Sequence, residues 1–112
     1  MKAQRNLITF VEKNTRLEDL QLINCQMVPE VLSRICLELE QMQGLQNLNL
    51  RKNVIRGKVP TKSFSEALAR LVASAPALMH LDISGMFLDD GGVRKIMIEG
   101  VAESKTLAAV HF

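Results

Sequence analysis

The sequence predicts an α/β solenoid, a horseshoe segment with short parallel strands on its concave side and helices on its convex side. Three observations carry that reading. One six-residue phrase occurs four times: Leu17-Glu18-Asp19-Leu20-Gln21-Leu22, Leu45-Gln46-Asn47-Leu48-Asn49-Leu50, Leu78-Met79-His80-Leu81-Asp82-Ile83 and Leu107-Ala108-Ala109-Val110-His111-Phe112. The copies begin 28, 33 and 29 residues apart. Between copies, apolar residues return at the spacing of one helical face, whereas within each phrase they alternate as in a strand.

Apolar residues at the first, fourth and sixth seats of a unit of this length are the signature of a leucine-rich repeat. The units read as 17–44, 45–77 and 78–106, preceded by the helix of a partial unit at 1–16 and followed by the start of a further strand at 107–112, all in one domain.

The elements follow in order. Leu7, Phe10 and Val11 share helical spacing and predict a helix ahead of the first strand. The first unit's helix is expected to start near Pro29, which suits a first turn. It turns Leu32, Ile35, Cys36 and Leu39 inward and ends before Gly44. In the second unit, Leu48 and Leu50 face one way, while Asn47, Asn49 and Arg51 face the other. Asn53, at the ninth seat, is expected to turn inward and hydrogen-bond loop backbone that would otherwise be unpaired. Cys25 and Met86 take that seat in the neighbouring units, and methionine weakens its rung.

Phe64, Ala67, Leu68, Leu71, Val72 and Ala75 form the second helix's stripe. Ser63 and Glu66 read as a capping box, and Pro76 as the stop. The third helix is expected to start at Asp89 or Asp90 and to bury Val93, Ile96, Met97 and Val101. The longer second unit places extra residues in Arg56-Gly57-Lys58-Val59-Pro60-Thr61-Lys62, a basic stretch on one rim and a candidate contact element.

Composition removes several function classes. The 112 residues carry 14 lysines and arginines against 12 acids, a net charge of +2, with no basic cluster of the kind nucleic acid requires. Cys25 and Cys36 are too few for a disulfide framework and read as buried free thiols in a reducing compartment. No secretory leader and no apolar run of about 20 residues is visible, so a soluble, cytoplasmic protein is expected, away from membranes. The phosphate-loop, dinucleotide-glycine and nucleophile-elbow motifs are absent, so no enzyme activity and no cofactor are expected. Asp89-Asp90-Gly91-Gly92 reads as a helix start rather than a calcium loop. The methionines Met27, Met42, Met79, Met86 and Met97 read mostly as core filler, with Met79 and Phe87 partly exposed.

With units of 28 to 29 residues, each a strand plus a full helix, the chain resembles the ribonuclease-inhibitor-like subclass of leucine-rich repeats. Asn14-Thr15-Arg16-Leu17 and Ser104-Lys105-Thr106-Leu107, leading into strands, resemble that subclass as well. Its members include ribonuclease inhibitors, Ran GTPase activators, capping-protein regulators of actin, tropomodulin-like and axonemal proteins, and bacterial effectors. The resemblance implies a binding surface. No residue of the GTPase activators carries over, because none of their diagnostic motifs matches.

Equal seats of stacked strands form columns about 4.8 Å apart. These are Gln21, Asn49, Asp82 and His111; Asp19, Asn47, His80 and Ala109; and Ile23, Arg51 and Ser84. The candidate partner-binding residues are Asn49, Arg51, His80, Asp82 and His111. Arg51 is the one strong anchor by type. The plainer alternative is a solvated face that keeps the repeats soluble. His80, Asp82 and His111 are ligand types, but an exposed Asp–His pair worth under ~1 kcal/mol accounts for them more simply than a metal does.

The expected function is a non-catalytic protein-interaction module, a scaffold or assembly subunit of a larger intracellular complex, with a cytoskeletal setting suggested by the resemblance. The alternative is a regulator of an enzyme, an inhibitor or a GTPase-activating factor. A ubiquitin-ligase adaptor or an effector would need further flanking segments. Leu107, Val110 and Phe112 are expected to lack a covering helix. This favours a piece of a longer array over a small protein docking through its open edge, onto a partner or a second copy.

Overall fold

Each strand occupies the third to fifth seats of its phrase, because the apolar fourth seat needs a common interior and the polar seats beside it do not. The computed structural model describes residues 2–53, 62–86 and 88–112. The order is α1 (Lys2–Lys13), β1 (Asp19–Gln21), α2 (Pro29–Leu39), β2 (Asn47–Asn49), α3 (Lys62–Ser74), β3 (His80–Asp82), α4 (Asp90–Lys95) and β4 (Ala109–His111). Beyond α4 the helix runs on as a π-helical turn, Ile96–Gly100, and a 3-10 turn, Val101–Glu103. The four strands form one parallel sheet in the order β1-β2-β3-β4.

Register follows the phrase without a slip. Leu20 pairs with Leu48, Leu48 with Leu81 and Leu81 with Val110. The first three are 5%, 1% and 1% exposed, which places the leucine spine inside. They meet Leu32, Ile35, Phe64, Leu68 and Leu71 from the helices in one core. Each fully buried leucine contributes about 2 kcal/mol of hydrophobic free energy. Among the described residues the helices therefore cover one face of the sheet and leave the other free of them. On the helix surface, Arg34 pairs with Glu12 and Glu38, Arg70 with Glu40, and Lys95 with Glu66 and Glu99.

The ninth-seat asparagine behaves as expected. Asn53 is fully buried. Its side-chain nitrogen donates to the Leu22 and Leu50 carbonyls at 2.6 and 2.8 Å, and its oxygen accepts the Cys25 amide at 2.9 Å. Cys25 departs from expectation, since its side chain is exposed. No strand precedes β1 among the described residues, and the thiol donates to Ile23 O of its own turn at 3.6 Å. Cys36 is buried as expected. Met86 takes the same seat in the third unit and is buried. The eighth seat is left-handed in all three units: φ is 52° at Asn24, 61° at Lys52 and 69° at Gly85.

Helix α2 has Pro29 in its first turn and buries Leu32, Ile35, Cys36 and Leu39. It ends at Leu39 with Glu40 as C-cap in right-handed conformation, so Gly44 is not its terminator. Helix α1 is rotated from its expected face: Val11 and Gln4 are buried and Leu7 and Ile8 pack on the core, while Phe10 is 49% exposed. Seats 4, 7, 8 and 11 make the stripe, and Gln4 Oε1 accepts the Val28 amide at 3.3 Å. Helix α3 is already formed at Lys62, so Ser63 lies inside it rather than capping it. Glu66 pairs with Lys62 and Lys95 instead of completing a capping box.

The third helix is capped by Asp89, whose carboxylate accepts the Gly92 amide at 2.7 Å. The π-helical turn then changes its phase. Ile96 and Gly100 are buried, Val93 and Val101 are half-buried, and Met97 is 39% exposed rather than inward. A Cβ on Gly100 would lie 3.1 Å from the Cα and carbonyl oxygen of Ala69. The two helices touch at that point, so a side chain there would press on the Ala69 backbone. The stretch Arg56–Thr61 of the expected contact loop, and Phe87, lie outside the described residues.

Candidate protein-binding face

Period-two alternation puts the third and fifth seats of every strand on the side away from the helices. Asp19 pairs with Asn47, Asn47 with His80 and His80 with Ala109; Gln21 pairs with Asn49, Asn49 with Asp82 and Asp82 with His111. Both expected columns are therefore assembled. The third column follows from backbone bonds beyond the strands. Asn24 N donates to Arg51 O at 3.1 Å, and Lys52 N donates to Ser84 O at 2.9 Å.

A shallow depression of about 280 Å³ lies on this face, lined by Asp19, Gln21, Asn47, Asn49, His80, Asp82 and His111 with Leu48 and Leu81. Four of the five candidate residues, Asn49, His80, Asp82 and His111, come together in it. Arg51 is exposed one column further along, at the rim. Asp19, Gln21 and Asn47 belong to the same surface and were not among the candidates. Their seats carried that information, because all third and fifth seats share one face.

Two of these side chains also shape the backbone. Asn49 Oδ1 accepts the Arg51 amide at 3.1 Å, and Asp82 Oδ1 accepts the Ser84 amide at 3.0 Å and the Ser84 hydroxyl at 2.7 Å. Each bond turns the chain out of its strand at the same seat. Burial pushes the Asp82 carboxyl up. The two Ser84 hydrogen bonds and the His111 and Arg51 charges outweigh it, so its pKa sits below the ordinary carboxylate value. Gln21 Nε2 reaches Asp19 Oδ1 at 3.4 Å.

The face is a hydrogen-bonding platform with no phenylalanine, tyrosine or tryptophan in the lining of its depression. Met79, at the approach to β3, is 43% exposed, as expected. Among the described residues no group of three metal-ligand side chains converges, and no helix is long and apolar enough to cross a membrane. What the arrangement can do is match a partner's polar groups over four strands.

No curated protein and no solved structure matches the chain. A family model does, that of the Zer-1-like leucine-rich repeats, over residues 2–107. Leucine-rich repeats are in general non-enzymatic domains that bind proteins. The match agrees with the repeated phrase and the parallel sheet; the chain belongs to the Zer-1-like leucine-rich-repeat family.

Proposed function

We propose that this chain is a non-catalytic protein-interaction module acting in the cytoplasm as a scaffold or assembly subunit of a larger complex. Its helix-free sheet face is the contact surface, with Asn49, Asp82, His80 and His111 at the centre and Arg51 at the rim. We read the units at 17–44, 45–77 and 78–106, flanked by 1–16 and 107–112, as a horseshoe segment of ribonuclease-inhibitor-like form, with this face concave.

The observation that supports the reading is the uninterrupted register of β1 to β4, which sets polar side chains from four strands side by side on a face that no helix covers among the described residues.

Affinity capture from the native source tests it, comparing the unmodified chain with Asn47→Trp and a His80→Ala/His111→Ala variant. A partner recovered stoichiometrically with the unmodified chain and lost with both variants supports the reading. Recovery unchanged by both variants overturns the face. A captured enzyme whose turnover changes when the chain is added would instead mark a regulator.

A further inference from the structure

We propose that this face recognises a basic segment of its partner, an extended stretch of chain that sets an arginine or lysine against Asp82 and Asp19. The inference rests on the reading of the face as the contact surface.

Charge is the first argument. The chain has a net charge of +2, yet the two carboxylates of the depression, Asp19 and Asp82, face no lysine or arginine within its lining. His111, in the lining, and Arg51, at the rim, offset Asp82 in part. Among the described residues Asp19 makes no ion pair. An acidic segment or a phosphate backbone would meet both carboxylates and be repelled.

Preorganisation is the second argument. Ser84 holds Asp82 through Oδ1 by two bonds, and Oδ2 accepts no hydrogen bond among the described residues. A fixed carboxylate with an oxygen to spare is a ready acceptor for a guanidinium or ammonium group. Asn47 and Asn49 stand on the neighbouring strand β2, and Gln21 one strand further on β1. Their amides can both donate to and accept from the peptide groups of an extended chain. With no aromatic anchor in the lining, selectivity comes from charge and hydrogen bonding, so binding is salt-sensitive.

The test uses the full chain and labelled glycine–serine peptides of about ten residues carrying central arginines, glutamates or leucines. Anisotropy gives affinity, and amide chemical shifts give the site. The arginine peptide is expected to bind and to shift Asn49, His80 and Asp82. An Asp19→Asn/Asp82→Asn variant should weaken it by about tenfold, the effect of two partly exposed ion pairs. Asparagine retains the Oδ1 acceptor for Ser84, and circular dichroism checks that the variant folds.

Equal binding of glutamate or leucine peptides, no binding of the arginine peptide, or indifference to the double substitution overturns the proposal. If leucine or glutamate peptides shift the same amides, only the basic class fails. If the captured partner ignores Asn47→Trp and the His80→Ala/His111→Ala variant, the contact face itself fails.

Discussion

Asn53 ties its own unit to the turn that carries Cys25: its carboxamide oxygen holds the Cys25 amide while its nitrogen binds the Leu22 and Leu50 carbonyls. One side chain satisfies three backbone groups in two units. Asn53→Ala removes all three bonds and leaves polar groups without partners, at about 1 kcal/mol or more each. Urea denaturation should show a loss of about 3 kcal/mol. Asn53→Asp should not rescue it, because a carboxylate cannot donate to the two carbonyls.

Gly100 and Gly91 separate two effects of glycine in one helix. A Cβ on Gly100 would press on Ala69 backbone at 3.1 Å, whereas on Gly91 the nearest atom is the Asp89 carboxylate oxygen at 3.7 Å. Gly100→Ala should destabilise by about 1–3 kcal/mol through overpacking. Gly91→Ala should stabilise by about 0.5 kcal/mol through helix propensity. Thermal melts of the two variants should move in opposite directions.

Lys52 adopts the left-handed conformation at φ 61°, and its Cγ would lie 3.3 Å from a Cβ on Gly85. Lys52→Gly should stabilise by about 0.5–1 kcal/mol by relieving the backbone. Gly85→Ala should destabilise by about 1 kcal/mol, and by less when Lys52 is already glycine. A double-mutant cycle reads that coupling.

Asp82 predicts a pH dependence with a definite sign. Its carboxyl pKa is lowered in the folded chain, so the folded state favours the ionised form. The stabilisation is present above the unfolded value, about 3.9, and is lost as pH falls through the lower folded value. Asp82→Asn should flatten the stability profile below about pH 4. An unchanged acid limb in denaturant titrations would contradict this.

The two thiols should react very differently. Burial, with the nearby Glu40 charge, pushes the Cys36 thiol up to about 12, whereas Cys25 is exposed. A disulfide reagent at mild alkaline pH should modify one thiol quickly in the folded chain and both after denaturation. Cys25→Ser should abolish the fast phase.

Much of the face was legible because strand geometry is strict. Once Leu20, Leu48 and Leu81 were read as inward, the columns of Asn49, Asp82 and His111 followed from alternation and equal seats. The same rule marked Asp19, Gln21 and Asn47. Arg51, the strong anchor by type, lies outside the lining of the depression; seat number does not show how far the depression extends. The Asp82–Ser84 bonds were hidden too, since two residues' separation does not show whether a carboxylate folds back on the turn.

From the order of residues alone came the repeating unit, the parallel register, the leucine spine and the inward Asn53, all consequences of short-range periodicity. Tertiary packing decided the helix phases and the uncovered sites. Met97 turned outward where a π-helical turn brought Gly100 against Ala69. Phe10 yielded its place on the core to Gln4 and Ile8, and Cys25 stayed in solvent with no strand ahead of β1 among the described residues. An apolar stripe states which residues could be buried; contact distances to the neighbouring helix and strand select those that are.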